Sequence, residues 1–302
     1  MPQTFYIVGP TATGKSAIAA EVARLCGGEI VSADAFQIYA GLDLLSAKPE
    51  PAELAAAPHH LIGVVPLSAP MDAERFRELA ASTISAIHGR GKPAFVVGGS
   101  GLYVKALADG LSTLPRADAD LRARLDQLSE MELFVRLARL DPESAGVIDR
   151  RNKRRLIRAV EICLLTGRPA SAQRQRATSL PTPAGVLLWR DRTELYERIN
   201  ARVKLMFARG VIAEVRASAE SVGPTAAQML GFAQIRELIA GRISESECIA
   251  SIQQATRRYA KRQLTWFSRQ TSFEPLNISR SSSSKTIAWI ARQVRLAPAP
   301  TG

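Results

Sequence analysis

The chain has 302 residues, 46% of them hydrophobic, which is enough for the core of one large domain or of a domain with an insertion. No apolar run reaches the ~18 residues of a membrane span, and the first residues lead into a strand-like run without a signal peptide, so we expect a cytoplasmic protein. The formal net charge of +12 is more than a small phosphorylated metabolite would require, and it favours a polyanionic partner.

The first motif is Gly-Pro-Thr-Ala-Thr-Gly-Lys-Ser, which fits the P-loop pattern G-x-x-x-x-G-K-[ST]. A β-prone run, residues 4–8, precedes it and a helix-forming run, residues 17–25, follows it, as the motif requires. In such a loop the backbone N–H groups and the helix N-terminus bind phosphate, the lysine adds a full charge, and the serine is placed to hold Mg²⁺. The candidate residues for binding a di- or triphosphate are Gly9, Pro10, Thr11, Ala12, Thr13, Gly14, Lys15 and Ser16, with Ser16 also the candidate metal ligand.

A second strand-like run, residues 28–33, ends at Asp34. Functional groups in parallel P-loop sheets lie at the carboxyl ends of strands, so we expect Asp34 to face the same crevice as Lys15. The position suits a metal ligand, a general base or a cap for the following turn, and spacing alone does not choose among these.

Residues 35–70 are predicted to be mostly irregular, followed by an amphipathic helix over 72–88. The neighbours His59 and His60 would point to opposite sides of an extended segment, which argues against a joint metal site. A third strand-like run then leads into the glycine turn of residues 98–101, which carries Ser100 where many P-loop NTPases have an acidic Mg²⁺ ligand. The absence of a Walker-B aspartate counts against ordinary NTP hydrolysis.

Helical patterns replace strands from about residue 109 to residue 184, between turn-rich stretches at 110–112 and 181–183. A helix predicted over 149–165 has an apolar stripe and a basic stripe, and the basic stripe favours phosphate contact over a merely solvated face. Its arginines are Arg151, Arg154, Arg155 and Arg158.

A strand at 186–189 returns to the sheet, followed by helices over 194–207, 212–219, 225–239 and 244–269. The predicted fold class is therefore α/β: a P-loop NTPase-like parallel sheet flanked by helices, with an inserted all-helical domain. The predicted bounds are 1–110 and 185–275 for the P-loop core, 111–184 for the insertion and 276–302 for a weakly specified tail that includes one short helix from Ile287.

Several blocks together resemble the bacterial tRNA dimethylallyltransferases, also called isopentenyl transferases, and they run in the family's order over residues 9–267. The P-loop is generic, whereas the last block is highly specific. The blocks are GPTATGKS at 9–16, SAD at 32–34 with Gln37 and Tyr39, AKP at 47–49, PHHLI at 58–62, GGSGLY at 98–103, RLIRAVE at 155–161, LYERI at 195–199 and QATRRYAKRQLTWF at 254–267.

The resemblance implies transfer of a dimethylallyl group from dimethylallyl diphosphate to N6 of the adenosine 3′ of the tRNA anticodon. The P-loop and Mg²⁺ would then stabilise a diphosphate leaving group. Asp34 matches the family's proposed general base, and Ser100 stands where the family usually has a threonine whose hydroxyl lies near the reacting centre. We expect a monomer.

The resemblance also implies the residues that contact tRNA. The two core strips are Asp34, Ala35, Phe36 and Gln37 with Ser100, and Met229, Leu230, Gly231, Phe232, Ala233 and Gln234. The insertion residues are Arg122, Arg154, Arg155, Leu156, Ile157 and Arg158. The chain departs from the family pattern at Ala35, Phe36, Gly63, Lys153, Ala233 and Gln234, positions that bear on tRNA contact and rate rather than on the reaction class.

Three other functions fit parts of the sequence. A small-molecule or nucleoside-monophosphate kinase would use the insertion as a phosphate-clamping lid and would turn over NTP. A transferase using the same donor on free adenine nucleotides would not need the basic insertion. A non-catalytic RNA-binding protein is disfavoured because Lys15, Ser16, Asp34 and the Ser100 hydroxyl occur together.

Overall fold

The structure, a computed structural model, describes residues 3–110, 114–115, 117–173 and 183–296. It divides into two compact units: Met1–Ala108 with Pro181–Gly302, called here the α/β unit, and Asp109–Leu180, called the helical unit. The helical unit thus begins at 109 and ends at 180, where the sequence predicted 111 and 184. The bracketing turns predicted at 111–112 and 181–182 lie outside the described residues.

Six strands in the described part of the α/β unit form one sheet in the order β3-β2-β4-β1-β5-β6, and every pairing is parallel. β1, β2 and β4 are almost entirely buried, as expected for parallel strands covered on both faces. The strands are β1 Thr4–Val8, β2 Glu29–Ser32, β3 His59–His60, β4 Ala94–Gly98, β5 Gly185–Trp189 and β6 Glu274–Asn277.

Helices cover both faces of this sheet, and alternate residues of β1 accordingly pack into two different cores. Tyr6 and Val8 join a core with helices on one face, whereas Phe5 and Ile7 join a core on the other. The helices are α1 Lys15–Cys26, α2 Asp43–Ser46, α3 Pro51–Ala56, α4 Ala73–Gly89 and α5 Gly101–Ala108 before the helical unit; α11 Arg192–Ala208, α12 Val211–Ser218, a 3₁₀ turn Ala226–Gln228, α13 Phe232–Ile239, α14 Glu245–Gln270 and α15 Ser283–Leu296 follow it.

The helical unit has its own core, in which Leu133 and Leu137 pack with Leu156 and Val160. Its helices are α6 Ala119–Asp126, α7 Glu130–Leu140, α8 Pro142–Val147, α9 Lys153–Thr166 and α10 Ala170–Gln173. Asn152 caps α9, since its side chain accepts a hydrogen bond from the Arg155 N–H. The helix predicted from residue 149 therefore begins at Lys153.

The predicted fold class is confirmed, but one local prediction is wrong. The single helix predicted over 225–239 is broken at Gly231, which has a φ of 98° and precedes α13. The tail is also better specified than predicted: β6 pairs with β5 along the sheet edge, and Ile290 and Val294 of α15 are buried in the core that contains α1. Residues 297–302 lie outside the described range.

The structure shows no helix within the described ranges that has both the length and the apolar character to cross a membrane.

Candidate active site

A cavity of about 980 Å³ opens at the carboxyl ends of the central strands of the α/β unit. The sequence-predicted residues that line it are Thr11, Ala12, Gly14, Lys15, Ser16, Asp34 and Gln37. The sheet register accounts for this, since Val8 lies opposite Gly98 and Ser32 opposite Val97, so the loops after β1, β2 and β4 meet at one edge.

The P-loop wraps around the start of α1. Gly14, with φ 90°, precedes Lys15 and Ser16 in the first turn of the helix, and the Thr13 hydroxyl donates to the Pro10 carbonyl at 2.9 Å. Gly9 is required by close packing, because a Cβ there would lie 2.2 Å from the Leu188 carbonyl oxygen. The loop therefore has the strand-to-helix geometry in which backbone N–H groups and a helix N-terminus can bind phosphate.

Lys15 is held inside this loop, where its ammonium donates to the Pro10 carbonyl at 3.2 Å. Burial lowers the pKa of Lys15 to about 8, an effect that Asp34 opposes and the charge of Arg202 reinforces. The side chain is thus protonated at neutral pH, and an anion bound beside it would raise its pKa and keep it protonated.

Three arginines brace the P-loop from β5 and α11. The Arg190 Nε donates to the Thr13 carbonyl and the Arg198 Nε donates to the Ala12 carbonyl, both at 2.8 Å. Arg202, one turn beyond Arg198 on α11, donates to the Thr11 hydroxyl at 3.2 Å. Burial lowers the pKa of Arg198 and of Arg202.

Arg198 and Arg202 also line the cavity, so they add positive charge beside Lys15. Neither arginine was assigned a role from the sequence. The available signal was their spacing of four on one predicted helix, which places two cations on one face.

Asp34 lies where β2 ends, and one of its oxygens caps the following turn. Oδ1 accepts hydrogen bonds from the backbone N–H groups of Phe36 at 2.9 Å and Gln37 at 3.3 Å. The cap that was one of three predicted roles is therefore present, and it fixes the carboxylate at the wall of the cavity that also contains Lys15.

Ser100 lies beside the Asp34 turn, because its Oγ accepts a hydrogen bond from the Ala35 N–H at 2.9 Å. The Tyr259 phenol of α14 lies beside Ser100, and its pKa is raised by burial and by the negative charge of Asp34. The glycines around Ser100 permit this approach: a Cβ at Gly98 would lie 2.1 Å from the Ala33 carbonyl oxygen, and one at Gly101 would lie 2.4 Å from the Trp266 ring. The two predicted catalytic residues are thus brought together.

The other predicted tRNA-contacting residues of the α/β unit differ in exposure. Ala35, Phe36 and Gln37 are half-buried, and Gln37 donates to the Ala47 carbonyl at 2.8 Å. In the second strip Leu230 and Gln234 are half-buried and Ala233 is exposed, whereas Met229, Gly231 and Phe232 are buried. The side chains of Met229 and Phe232 pack in the core, and the contact of this strip with tRNA stays a prediction.

In the helical unit two of the predicted arginines share one buried carboxylate. Arg122 Nε and Arg158 Nη1 lie 2.9 and 2.6 Å from the oxygens of Glu161, a side chain that is 0% exposed. Burial alone would raise the pKa of Glu161, but hydrogen bonds from Arg122 and Arg158 hold it below its usual range. These two arginines are therefore held in place by the fold of the unit.

The other predicted tRNA-contacting residues of the helical unit lie on two different faces of α9. Arg154 and Arg155 are exposed on α9, whereas Leu156 and Ile157 are buried in the core of the unit. Helical spacing turns the side chains of Leu156 and Ile157 away from the basic stripe, and the predicted tRNA contact of this segment stays a prediction.

The cavity offers ligands that suit Mg²⁺. The Ser16 hydroxyl and the Asp34 carboxylate both line it, and oxygen atoms of this kind are the ligands that Mg²⁺ prefers. In the described ranges no three His, Cys, Asp or Glu side chains cluster as a metal site. An Mg²⁺ ion held here would take its other oxygen ligands from water and substrate phosphate. The donor set therefore fits the predicted ion.

Comparison with known proteins gives the family. The sequence model described as IPP transferase matches residues 37–270, which is more than half of the chain. A protein of Akkermansia muciniphila named tRNA dimethylallyltransferase is 41% identical over 288 residues, covering 94% of this chain and 97% of its own. The chain belongs to the IPP transferase family.

Solved structures agree with this assignment. The tRNA isopentenylpyrophosphate transferase of Bacillus halodurans is 33% identical, with a TM-score of 0.72 over 98% of this chain and 96% of its own. A eukaryotic dimethylallyltransferase described as acting on tRNA aligns with all of this chain and 81% of its own at a TM-score of 0.80, and with 23% identity it supports the fold. The family read from the sequence blocks is confirmed.

The state of Lys15 predicts how anion binding depends on pH. As pH rises from 7 to 9 through the Lys15 pKa of about 8, the ammonium loses its proton and its contribution to pyrophosphate affinity declines. Calorimetric titration with magnesium pyrophosphate should give wild type its largest advantage over Lys15→Met near pH 7, and a smaller one at pH 9. Because pyrophosphate itself changes protonation over this range, Lys15→Met serves as the control for that effect. A ratio of wild-type to variant affinity that stays constant from pH 7 to pH 9 would contradict a role for the Lys15 ammonium in binding pyrophosphate.

Proposed function

We propose that the chain transfers a dimethylallyl group from dimethylallyl diphosphate to N6 of the adenosine immediately 3′ of the tRNA anticodon, releasing diphosphate. The observation that carries the proposal is one cavity lined both by the phosphate-binding loop with Lys15 and by the carboxylate of Asp34. Membership of the IPP transferase family, with relatives named tRNA dimethylallyltransferase, supports it.

The P-loop side of the cavity would bind the leaving group. The C–O bond to the diphosphate breaks as the alkyl group moves to nitrogen, so negative charge grows on the diphosphate oxygens. Lys15, the loop amides, Arg198 and Arg202 would stabilise that charge. Ser16 and the substrate phosphates would hold Mg²⁺, which supplies further charge neutralisation when bound.

The Asp34 side of the cavity would serve the acceptor. An exocyclic adenine amine is a poor nucleophile because its lone pair is delocalised into the ring, and it must lose a proton once the new C–N bond forms. A fixed carboxylate can take that proton. The backbone N–H groups of Phe36 and Gln37 orient Asp34 for this role, and the Ser100 hydroxyl lies beside the same turn.

The tRNA itself would be bound through its phosphates and through the anticodon loop. The net charge of +12 and the exposed arginines of α9 provide the electrostatic attraction. The target base must leave the loop stack to enter the cavity, which costs a few kcal/mol and is easiest in a single-stranded loop. Because one chain carries every candidate site residue, we expect it to act as a monomer, in the cytoplasm with its tRNA.

The test of the function is to follow labelled dimethylallyl diphosphate with Mg²⁺ and, separately, unmodified tRNA or AMP. We expect label in tRNA only. Label in AMP would instead identify a nucleotide transferase, and ATP consumption without transfer would identify the kinase.

The role of Asp34 predicts a selective loss of turnover. Asp34→Asn keeps an oxygen that can accept from Phe36 and Gln37 but removes the base, so kcat should fall by about 10²–10⁴-fold while tRNA affinity stays within a few-fold. Asp72→Asn is the matched control, because Asp72 likewise accepts from a backbone N–H, that of Arg75, at the start of α4. A kcat of Asp34→Asn near that of wild type would show that Asp34 is not the general base.

The exposed basic face of α9 predicts a change in salt dependence. If Arg155 contacts a phosphate, Arg155→Ala should lower the slope of log affinity against log salt by about 0.7–0.9. Arg139→Ala, an equally charged change at an exposed position of α7, should leave the slope unchanged. If Arg155→Ala also leaves the slope of log affinity against log salt unchanged, Arg155 does not contact a tRNA phosphate and this face of α9 is only exposed to solvent.

A further inference from the structure

Gln263, from the middle of α14, hydrogen-bonds to two of the loops that form the cavity. Its Nε2 donates to the Gly99 carbonyl at 2.8 Å, and its Oε1 accepts from the Thr11 N–H at 2.9 Å. Thr11 belongs to the P-loop after β1, and Gly99 belongs to the turn after β4 that carries Ser100. Because the side chain is only 6% exposed, both bonds are shielded from water.

The surroundings leave this amide little freedom. A Cβ at Gly99 would lie 2.3 Å from Gln263 Nε2, so the amide fills the space that the glycine leaves. Tyr259, one turn earlier on α14, lies beside both Ser100 and Gln263. Contacts therefore run from Thr11 through Gln263 to Gly99, and through Tyr259 to Ser100.

We propose that Gln263 is a positioning residue for group transfer: its amide sets the separation between the loop that holds the diphosphate and the loop that carries Ser100 beside Asp34. The inference rests on the proposed function. Transfer of an alkyl group needs donor and acceptor aligned closely, and a displacement of about 1 Å can cost about 10²-fold in rate. A glutamine can hold both loops because it carries one acceptor and one donor group on a rigid plane.

The test is Gln263→Glu, which keeps an oxygen for the Thr11 N–H but turns a second oxygen toward the Gly99 carbonyl. Two acceptors facing each other disfavour the ionised acid, whereas the protonated acid donates to Gly99 as the amide does. The charged or titratable groups near this point are Tyr259, Asp34, Lys15, Arg202 and Arg262, and all five are unchanged in the variant.

We expect kcat of Gln263→Glu to be at least about tenfold below wild type at pH 8.5 and to recover to within about threefold at pH 6. The KM for tRNA should change by less than about twofold. Gln253→Glu is the matched control: it lies on the same helix, it also donates to a backbone carbonyl, that of Asn200 at 3.1 Å, and its kcat relative to wild type should not vary with pH.

A ratio of variant to wild-type kcat that is the same at both pH values would overturn the inference, even if the variant were less stable to heat. Failure of the proposed function is a different result, because wild type itself would then transfer no label to tRNA. In that case the affinity of folded Gln263→Glu for magnesium pyrophosphate is compared with that of wild type at pH 6 and 8.5. An affinity ratio that falls at pH 8.5 would support the positioning of the P-loop by Gln263, and a ratio that is the same at both pH values would overturn it.

Discussion

The parallel register of β1, β2 and β4 is the constraint on which the candidate site depends. Val8 lies opposite Gly98 and Ser32 opposite Val97, so three loops leave the sheet side by side. One supplies Lys15, one Asp34 and one Ser100. A residue slip in any pairing would reverse which side chains face each core and would move these loops apart, so the same packing that stabilises the sheet also places the chemistry.

Electrostatics then divide the cavity into two functional sides. Lys15, Arg198 and Arg202 concentrate positive charge around the P-loop, and the lowered pKa of all three reflects the cost of burying each cation. A bound diphosphate would remove that cost. Asp34 faces the same space with its orientation set by two backbone N–H groups, which suits a group that must accept a proton at a fixed point.

The sequence predicted the parts of the molecule whose signals are local. The P-loop, Asp34 and the buried strands could be read because motif spacing and apolar runs depend on neighbouring residues alone. The roles of the bracing arginines and of the Gln263 amide depend on contacts across the fold, such as the one between Gln263 and Thr11 at a sequence separation of 252. Helical spacing puts Arg198 and Arg202 on one face, but it does not show what they contact. Leu156 and Ile157 are a different case: a matched motif grouped them with arginines, whereas helical spacing, itself a local signal, places them on the buried face.

Strand β6, at the start of the C-terminal tail, is an element that the sequence pattern did not predict. β6 contains Pro275 and has exposed residues, so it lacks the apolar alternation of a recognisable strand, and only its pairing with β5 makes it one.

The most direct test is to identify the nucleoside that the chain modifies. Unmodified tRNA incubated with the protein, Mg²⁺ and dimethylallyl diphosphate would be digested and sequenced by mass spectrometry, with Lys15→Met as the inactive reference. The account predicts a dimethylallyl group on N6 of the adenosine immediately 3′ of the anticodon. Modification of a different nucleoside, or none with folded protein, would contradict it.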